Sequence, residues 1–263
     1  MTAMGMEFNY VKKIMKIKKT GRGKDFKIAQ WISGDSRFIL IKSGMGLEKA
    51  RPAIRYLLDN FNINAIINIG IAGALKPGLN IGDLVLGEEI LREGNTGEKN
   101  YKIYRSHGVM VEIIKKAMCT WEKAGNTKNK WYSGRIISVK KGVGSRERKN
   151  ALHREFNADA VDMEAAAIIE TCDNIPFVTV KSISDLADES LGISEDMMTD
   201  QGKINAGKLL HMFIFHPFSM IGSLKRMMKN TKLALSSLEF LKRELPAMAE
   251  AWGINHENVD NVE

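Results

Sequence analysis

Residues 160–189, AVDMEAAAIIETCDNIPFVTVKSISDLADE, admit few folds. The opening four residues are short and apolar around Asp162. Ala165, Ala166, Ala167, Ile168 and Ile169 then form a helix-favouring run. Asp173 and Asn174 end it, and Pro176 bars its continuation. Residues 177–183 are rich in β-branched side chains and read as a buried strand, with Ser184 and Asp185 at its end. A helix and the strand after it run in roughly opposite directions. The start of this helix and the end of this strand therefore share one edge of a sheet, which brings Glu164 and Asp185 together. Ligands of open α/β sheets bind beyond the carboxyl ends of the strands. Two carboxyl groups there suit a site with divided roles, one ionised and one kept protonated. The alternative is that Glu164 caps its own helix and Asp185 the next one. Spacing alone leaves both open.

The chain has 263 residues, enough for one large α/β domain or two small ones with a substantial core. No run approaches the roughly 18 apolar residues of a membrane span. The first ten residues lack the charged-then-apolar order of a signal peptide. Two cysteines, Cys119 and Cys172, lack metal-ligand spacing and suit a reducing cytoplasm. No metal site is expected. The net charge of +8 gathers in two blocks, one at Lys12–Lys13–Lys16–Lys18–Lys19 and one at Lys225, Arg226, Lys229 and Lys232. No nucleic-acid-binding motif accompanies either block, so a solvated face is the expectation for the first and no nucleic-acid partner is expected.

Taken in order, Phe8, Val11, Ile14 and Met15 recur as a helix, with Glu7 at its start, where an acidic residue also suits the dipole. Gly21 to Gly23 read as a turn. Residues 26–32 and 37–41 form a hairpin. Ser43-Gly44-Met45-Gly46 links that strand to a helix over 48–60. Its N–H groups can meet an anion or a sugar hydroxyl, or simply make a tight turn. A strand over 65–68 runs into Gly70-Ile71-Ala72-Gly73, where small residues let backbone approach a ligand. This is not the dinucleotide fingerprint. A strand over 84–90 precedes a polar loop over 91–106, a candidate lid. A helix over 107–124, a strand over 131–139 and a helix over 146–156 complete the approach to the central stretch. A helix over 200–215 ends at Pro217. Residues 218–245 form a long basic amphipathic helical segment, and the last residues form a polar tail.

The order SGMG, NIGIAGALKPGLNIGDLVLGEEI, VDMEAAAI and VKSISDLAD resembles the nucleoside phosphorylase/nucleosidase superfamily of the purine and uridine phosphorylase type. It is most similar to 5′-methylthioadenosine/S-adenosylhomocysteine nucleosidases and the related hopanoid-associated phosphorylases. The resemblance implies a single three-layer α/β domain over 1–215, a central mixed sheet flanked by helices, with a helical extension over 216–245 and a polar tail over 246–263. It implies cleavage of the N-glycosidic bond of an adenosine-type nucleoside, releasing adenine. By the resemblance Asp185 donates a proton to purine N7, Glu7 holds the attacking water, Glu164 binds the ribose hydroxyls and Met163 packs on the sugar. Ile71 stands where the nucleosidases carry serine, Lys181 where they carry arginine, and Val143 where an aromatic stacks on the base. The family's full opening strand is expected to be truncated here, since only Met1, Thr2 and Ala3 precede the glutamate element. No cofactor is implied. The nucleophile is open between water, favoured by Glu7, and phosphate as co-substrate, held by Lys181 or by the N–H groups around Gly44 and Gly46. A homodimer or larger homo-oligomer is implied. The tail resembles the extension of the hopanoid-associated enzymes and offers two readings: a basic helix on a bilayer surface, or a helix packed on the domain or on a partner subunit. The contrasting functional class is a nucleoside-binding or membrane-associated protein with impaired catalysis.

Overall fold

The computed structural model describes residues 1–22, 26–94, 101–124, 129–172, 174–190 and 217–252. In chain order the elements are α1 (Gly5–Ile14), β1 (Thr20–Arg22), β2 (Lys27–Ser33), β3 (Ser36–Lys42), α2 (Leu47–Asn60), β4 (Ile66–Ala74), β5 (Leu84–Arg92), β6 (Lys102–Arg105), α3 (Gly108–Lys123), β7 (Trp131–Ser138), α4 (Arg146–Phe156), β8 (Ala160–Asp162), α5 (Ala165–Cys172), β9 (Phe177–Asp185), α6 (Pro217–Ser237) and α7 (Phe240–Ala251). The expected helix over 200–215 lies outside the described residues.

The expected central mixed sheet flanked by helices is present. Its main part has the order β6-β5-β7-β8-β4-β9, and β9 also pairs with β5, so the sheet curls back on itself. The pairs β4–β9, β5–β7 and β7–β8 are parallel, whereas β4–β8, β5–β9 and β5–β6 are antiparallel. β9 and β5 are buried on both faces over most of their length, so Thr179, Lys181 and Ser182 of β9 lie in the interior beside its apolar residues. A separate antiparallel sheet, β1-β2-β3, stands beside it. Residues 1–3 stitch the two sheets. Thr2 bridges Lys42 in parallel fashion, the Met1 amino group donates to the Ile67 carbonyl at 2.7 Å, and the Ile69 N–H donates to the Met1 carbonyl at 2.9 Å. A mostly apolar cavity of ≈ 210 Å³ opens alongside, lined by Met1, Trp31, Leu40, Ile67 and Trp252 among others.

The helices form the outer layers because each carries one apolar stripe. Phe8 and Val11 of α1, Met110, Ile114, Met118 and Trp121 of α3, and Leu235, Phe240, Leu241 and Met248 of the last two helices share one core. Ala50, Ala53, Ile54 and Leu57 of α2 meet Ala165–Ala167 and Ile168 of α5 in another. Leu152 and Phe156 of α4 close the end of the sheet near the site.

Several expectations are corrected. Gly70 to Gly73 lie inside β4, not after it, because the strand continues to Ala74. The stretch over 91–106 contains the edge strand β6, four largely exposed residues with no burial pattern to announce it. The stretch read as a turn at Gly21 is the edge strand β1. The basic tail is two helices, α6 and α7, and the second runs past 245 to Ala251. Leu235, Leu238, Phe240, Leu241 and Met248 pack into the core, as the packed reading of the tail expects, whereas Leu224, Met228 and Leu233 stay exposed.

Candidate active site

Five segments converge on one pocket at the carboxyl ends of β4, β8 and β9. Its lining includes Glu7 from α1, Ile71 and Gly73 from β4, Val143 after β7, Met163 and Glu164 between β8 and α5, and Asp185 ending β9. Six of the nine expected site residues are thus brought together: Glu7, Ile71, Val143, Met163, Glu164 and Asp185. Lys181, Gly44 and Gly46 do not line it.

Glu7 sits in the first turn of α1 and is buried. One carboxylate oxygen accepts from the N–H groups of Ala3 and Met4, each at 2.8 Å, and the other from Ile71 N–H at 3.0 Å. The capping role is real, but it is not the whole story. A carboxylate has about four acceptor sites, so three backbone donors leave about one for a water in the pocket. Such proximity requires glycine at Gly70, where an added Cβ would lie 2.5 Å from the Glu7 Oε1.

Glu164 precedes α5 without capping it. Asp162 does that instead: its Oδ2 accepts the Ala165 N–H at 3.1 Å. Glu164 accepts the Gly46 N–H at 2.8 Å, made possible by the left-handed backbone of Gly44 and Gly46, φ 91° and 94°. Burial pushes the Glu164 carboxyl up to about 7; Lys181 and the Gly46 N–H oppose this, while Asp162 and Glu7 add to it. Lys181, in the middle of β9, is fully buried, and its Nζ lies 2.9 Å from Asp162 Oδ2. Burial alone would lower its pKa, yet the carboxylates of Asp162, Glu164 and Glu7 outweigh that and raise it. Lys181 is therefore an ammonium buried among three carboxyl groups and paired with Asp162. It does not line the pocket where a contact with substrate or phosphate was expected.

The glycine turn is likewise committed internally. Ser43 and Gly44 N–H groups donate to the Thr2 and Ala3 carbonyls, at 2.9 and 3.0 Å, and Gly46 serves Glu164. An anion in this turn would have to displace those bonds.

Asp185 meets two donors. Ser184 Oγ lies 2.8 Å from its Oδ1, and Lys149 Nζ donates to its Oδ2 at 2.5 Å. Gly73 faces the same carboxylate, and a Cβ there would lie 2.9 Å from Oδ2. Asp185, the expected proton donor, is thus ion-paired with Lys149, and the carboxyl that burial pushes up is Glu164. Sequence reading missed Lys149, Asp162 and Ser138, whose hydroxyl donates to Asp162 at 2.5 Å. For Lys149 a signal exists. It shares the buried stripe of α4 with Leu152 and Phe156, at spacings of three and seven, where an apolar residue belongs.

Comparison with known proteins agrees with this geometry. The sequence profile of the phosphorylase superfamily matches residues 1–214. A 5′-methylthioadenosine/S-adenosylhomocysteine nucleosidase of Staphylococcus epidermidis is 29% identical over 187 residues, covering 67% of this chain and 80% of the relative. A nucleosidase of the same description from Neisseria meningitidis, solved with methylthio-immucillin-A, superposes with a TM-score of 0.66 at 25% identity, covering 92% of this chain and 96% of that one. The futalosine hydrolase of Helicobacter pylori shares the fold, with a TM-score of 0.69 at 18% identity over 95% of each chain.

Proposed function

Since the chain belongs to the phosphorylase superfamily, we propose that it cleaves the N-glycosidic bond of an adenosine-type nucleoside, with water as the nucleophile. The observation that carries this is the placement of two carboxylates along β4. Glu7 lies against Gly70 and Asp185 against Gly73. The two glycines stand three strand steps, about 10 Å, apart, and both carboxylates line the one pocket, which offers a water-holding group and a proton donor to the same substrate. Cleavage builds positive charge on the sugar and leaves the bonding electrons on the base. Glu7 orients the water and receives its proton, Glu164 accepts the ribose hydroxyls, and Asp185 delivers a proton to the base. Water is favoured over phosphate because three carboxylates crowd the pocket, while Lys181 and the glycine-turn amides are already bonded.

The relatives' substrates supply the assay. The protein is incubated with methylthioadenosine, S-adenosylhomocysteine, futalosine and an adenosyl-lipid, each with and without phosphate, and the sugar product is identified by mass. Free sugar from the small nucleosides is expected, unaffected by phosphate. Asp185→Asn is expected to lower turnover about 100-fold or more with the fold intact. Sugar phosphate as the product would overturn the hydrolytic reading, and full activity in Asp185→Asn would remove its role.

A second reading concerns where the substrate is met. Leu224, Met228 and Leu233 of α6 are exposed between the exposed Lys225, Lys229 and Lys232. Apolar side chains interleaved with lysines suit an anionic lipid surface. This favours a membrane-peripheral enzyme drawing on a lipid-linked nucleoside.

A further inference from the structure

Lys149 has no part in the reaction as described so far, yet it is the most completely bonded cation near the pocket. It is 0% exposed, on the inner face of α4. Its ammonium has three N–H donors and meets three acceptors: Asp185 Oδ2 at 2.5 Å, the Leu186 carbonyl at 2.6 Å and the Glu189 carbonyl at 3.1 Å. The Ser184 hydroxyl lies 2.8 Å from the other Asp185 oxygen and 3.2 Å from the Ala72 carbonyl, and its single hydrogen serves one of the two. The ammonium on Oδ2 makes that oxygen an acceptor where the reaction needs an acid.

We propose that Lys149 is the proton source for the leaving base, acting through Asp185. This rests on the N-glycosidic reading above. As the C1′–N9 bond breaks, its electron pair goes to the base, which becomes a far stronger base than a carboxylate. One proton leaves Lys149 Nζ for Asp185, and Asp185 passes a proton to the base. A second proton leaves the attacking water for Glu7 as its oxygen bonds C1′. When products depart, Glu7 releases its proton to solvent and Lys149 recovers one. The net change is nucleoside plus water to sugar plus protonated base. While Asp185 holds the proton, the neutral amine keeps two N–H donors on the Leu186 and Glu189 carbonyls and its lone pair accepts the Asp185 O–H; once the base has taken the proton, that one hydrogen bond is lost until Lys149 is reprotonated. Lys149 is a positioning residue in that it touches Asp185 and not the substrate. The simpler alternative is a structural charge partner for a buried carboxylate.

Arginine separates the two. Lys149→Arg keeps a cation beside Asp185, but a guanidinium does not surrender its proton. Steady-state kinetics on methylthioadenosine are expected to show kcat reduced about 100-fold in both Lys149→Arg and Lys149→Met, with KM changed less than about threefold. Ethylamine added to Lys149→Ala is expected to restore turnover. In an Asp185→Asn background, Lys149→Met is expected to add no further loss, since the two act in series. That double variant also removes both buried charges together, so it folds even if the lone methionine variant, with its unpaired carboxylate, does not. Turnover near wild type in Lys149→Arg, or additive losses in the double variant, would overturn the proposal. Absence of base release by the wild-type protein would instead defeat the parent reading.

Discussion

Glu164 illustrates how one buried carboxyl ties stability to binding. Its folded pKa of about 7 stands above the roughly 4.3 of a free glutamate, chiefly through burial. Between those values the folded protein holds a proton that the unfolded chain has released. The group therefore supports folding fully below about 4.3 and loses that support as pH rises through about 7. Substrate binding has the opposite slope, because an ionised carboxylate is the stronger acceptor for ribose hydroxyls. KM for the nucleoside is thus expected to fall between pH 6 and 8 while the urea midpoint also falls, and Glu164→Gln should flatten both. Parallel profiles in wild type and variant would show that another group titrates. Of the site, Glu7, Glu164 and Asp185 were legible as residues, since carboxyl groups at strand and helix ends stand out in sequence. Lys149 was not singled out: its place on the stripe of Leu152 and Phe156 marks it, but in a helix as polar as RERKNALHREF that stripe is faint.

Among the elements, α6 divides its surface. Ala234, Leu235 and Ser237 are buried, whereas Leu224, Met228 and Leu233 remain exposed beside three lysines. Vesicles containing phosphatidylserine are expected to co-sediment with the protein at low salt, neutral vesicles less so, and a Lys225→Glu/Lys229→Glu/Lys232→Glu variant not at all. Its turnover on water-soluble nucleosides should be unchanged. Equal sedimentation of variant and wild type would leave α6 without a lipid role. Long periodic elements such as α3, α4 and β9 were readable from their spacing. The edge strands β1 and β6 were not: they are only three and four residues long, too short to show an alternation, and only pairing with β2 and β5 makes them strands.

The assembly of the chain as a unit depends on its C-terminal helices. Leu235, Leu238, Phe240, Leu241 and Met248 are buried in the same core as Ile114, Met118 and Trp121. At about 1.5–3 kcal/mol per buried apolar side chain, their loss is comparable to the whole net stability of a domain, about 5–15 kcal/mol. A chain ending at residue 215 is expected to be insoluble or to show no cooperative melting by circular dichroism. A soluble, active truncation would instead make α6 and α7 a dispensable extension. The strand-and-helix order, the apolar faces and the three carboxylates are determined by local spacing and could be read in one dimension. Tertiary structure alone decided which partner each charge received. Gly46 reaches Glu164 across 118 residues, Ile71 reaches Glu7 across 64, and Lys149 reaches Asp185 across 36. Two of those three partners are backbone N–H groups, which every non-proline residue carries alike. Only the fold, bringing glycines close enough at Gly70 and Gly73 for carboxylates to lie on bare backbone, selects among them.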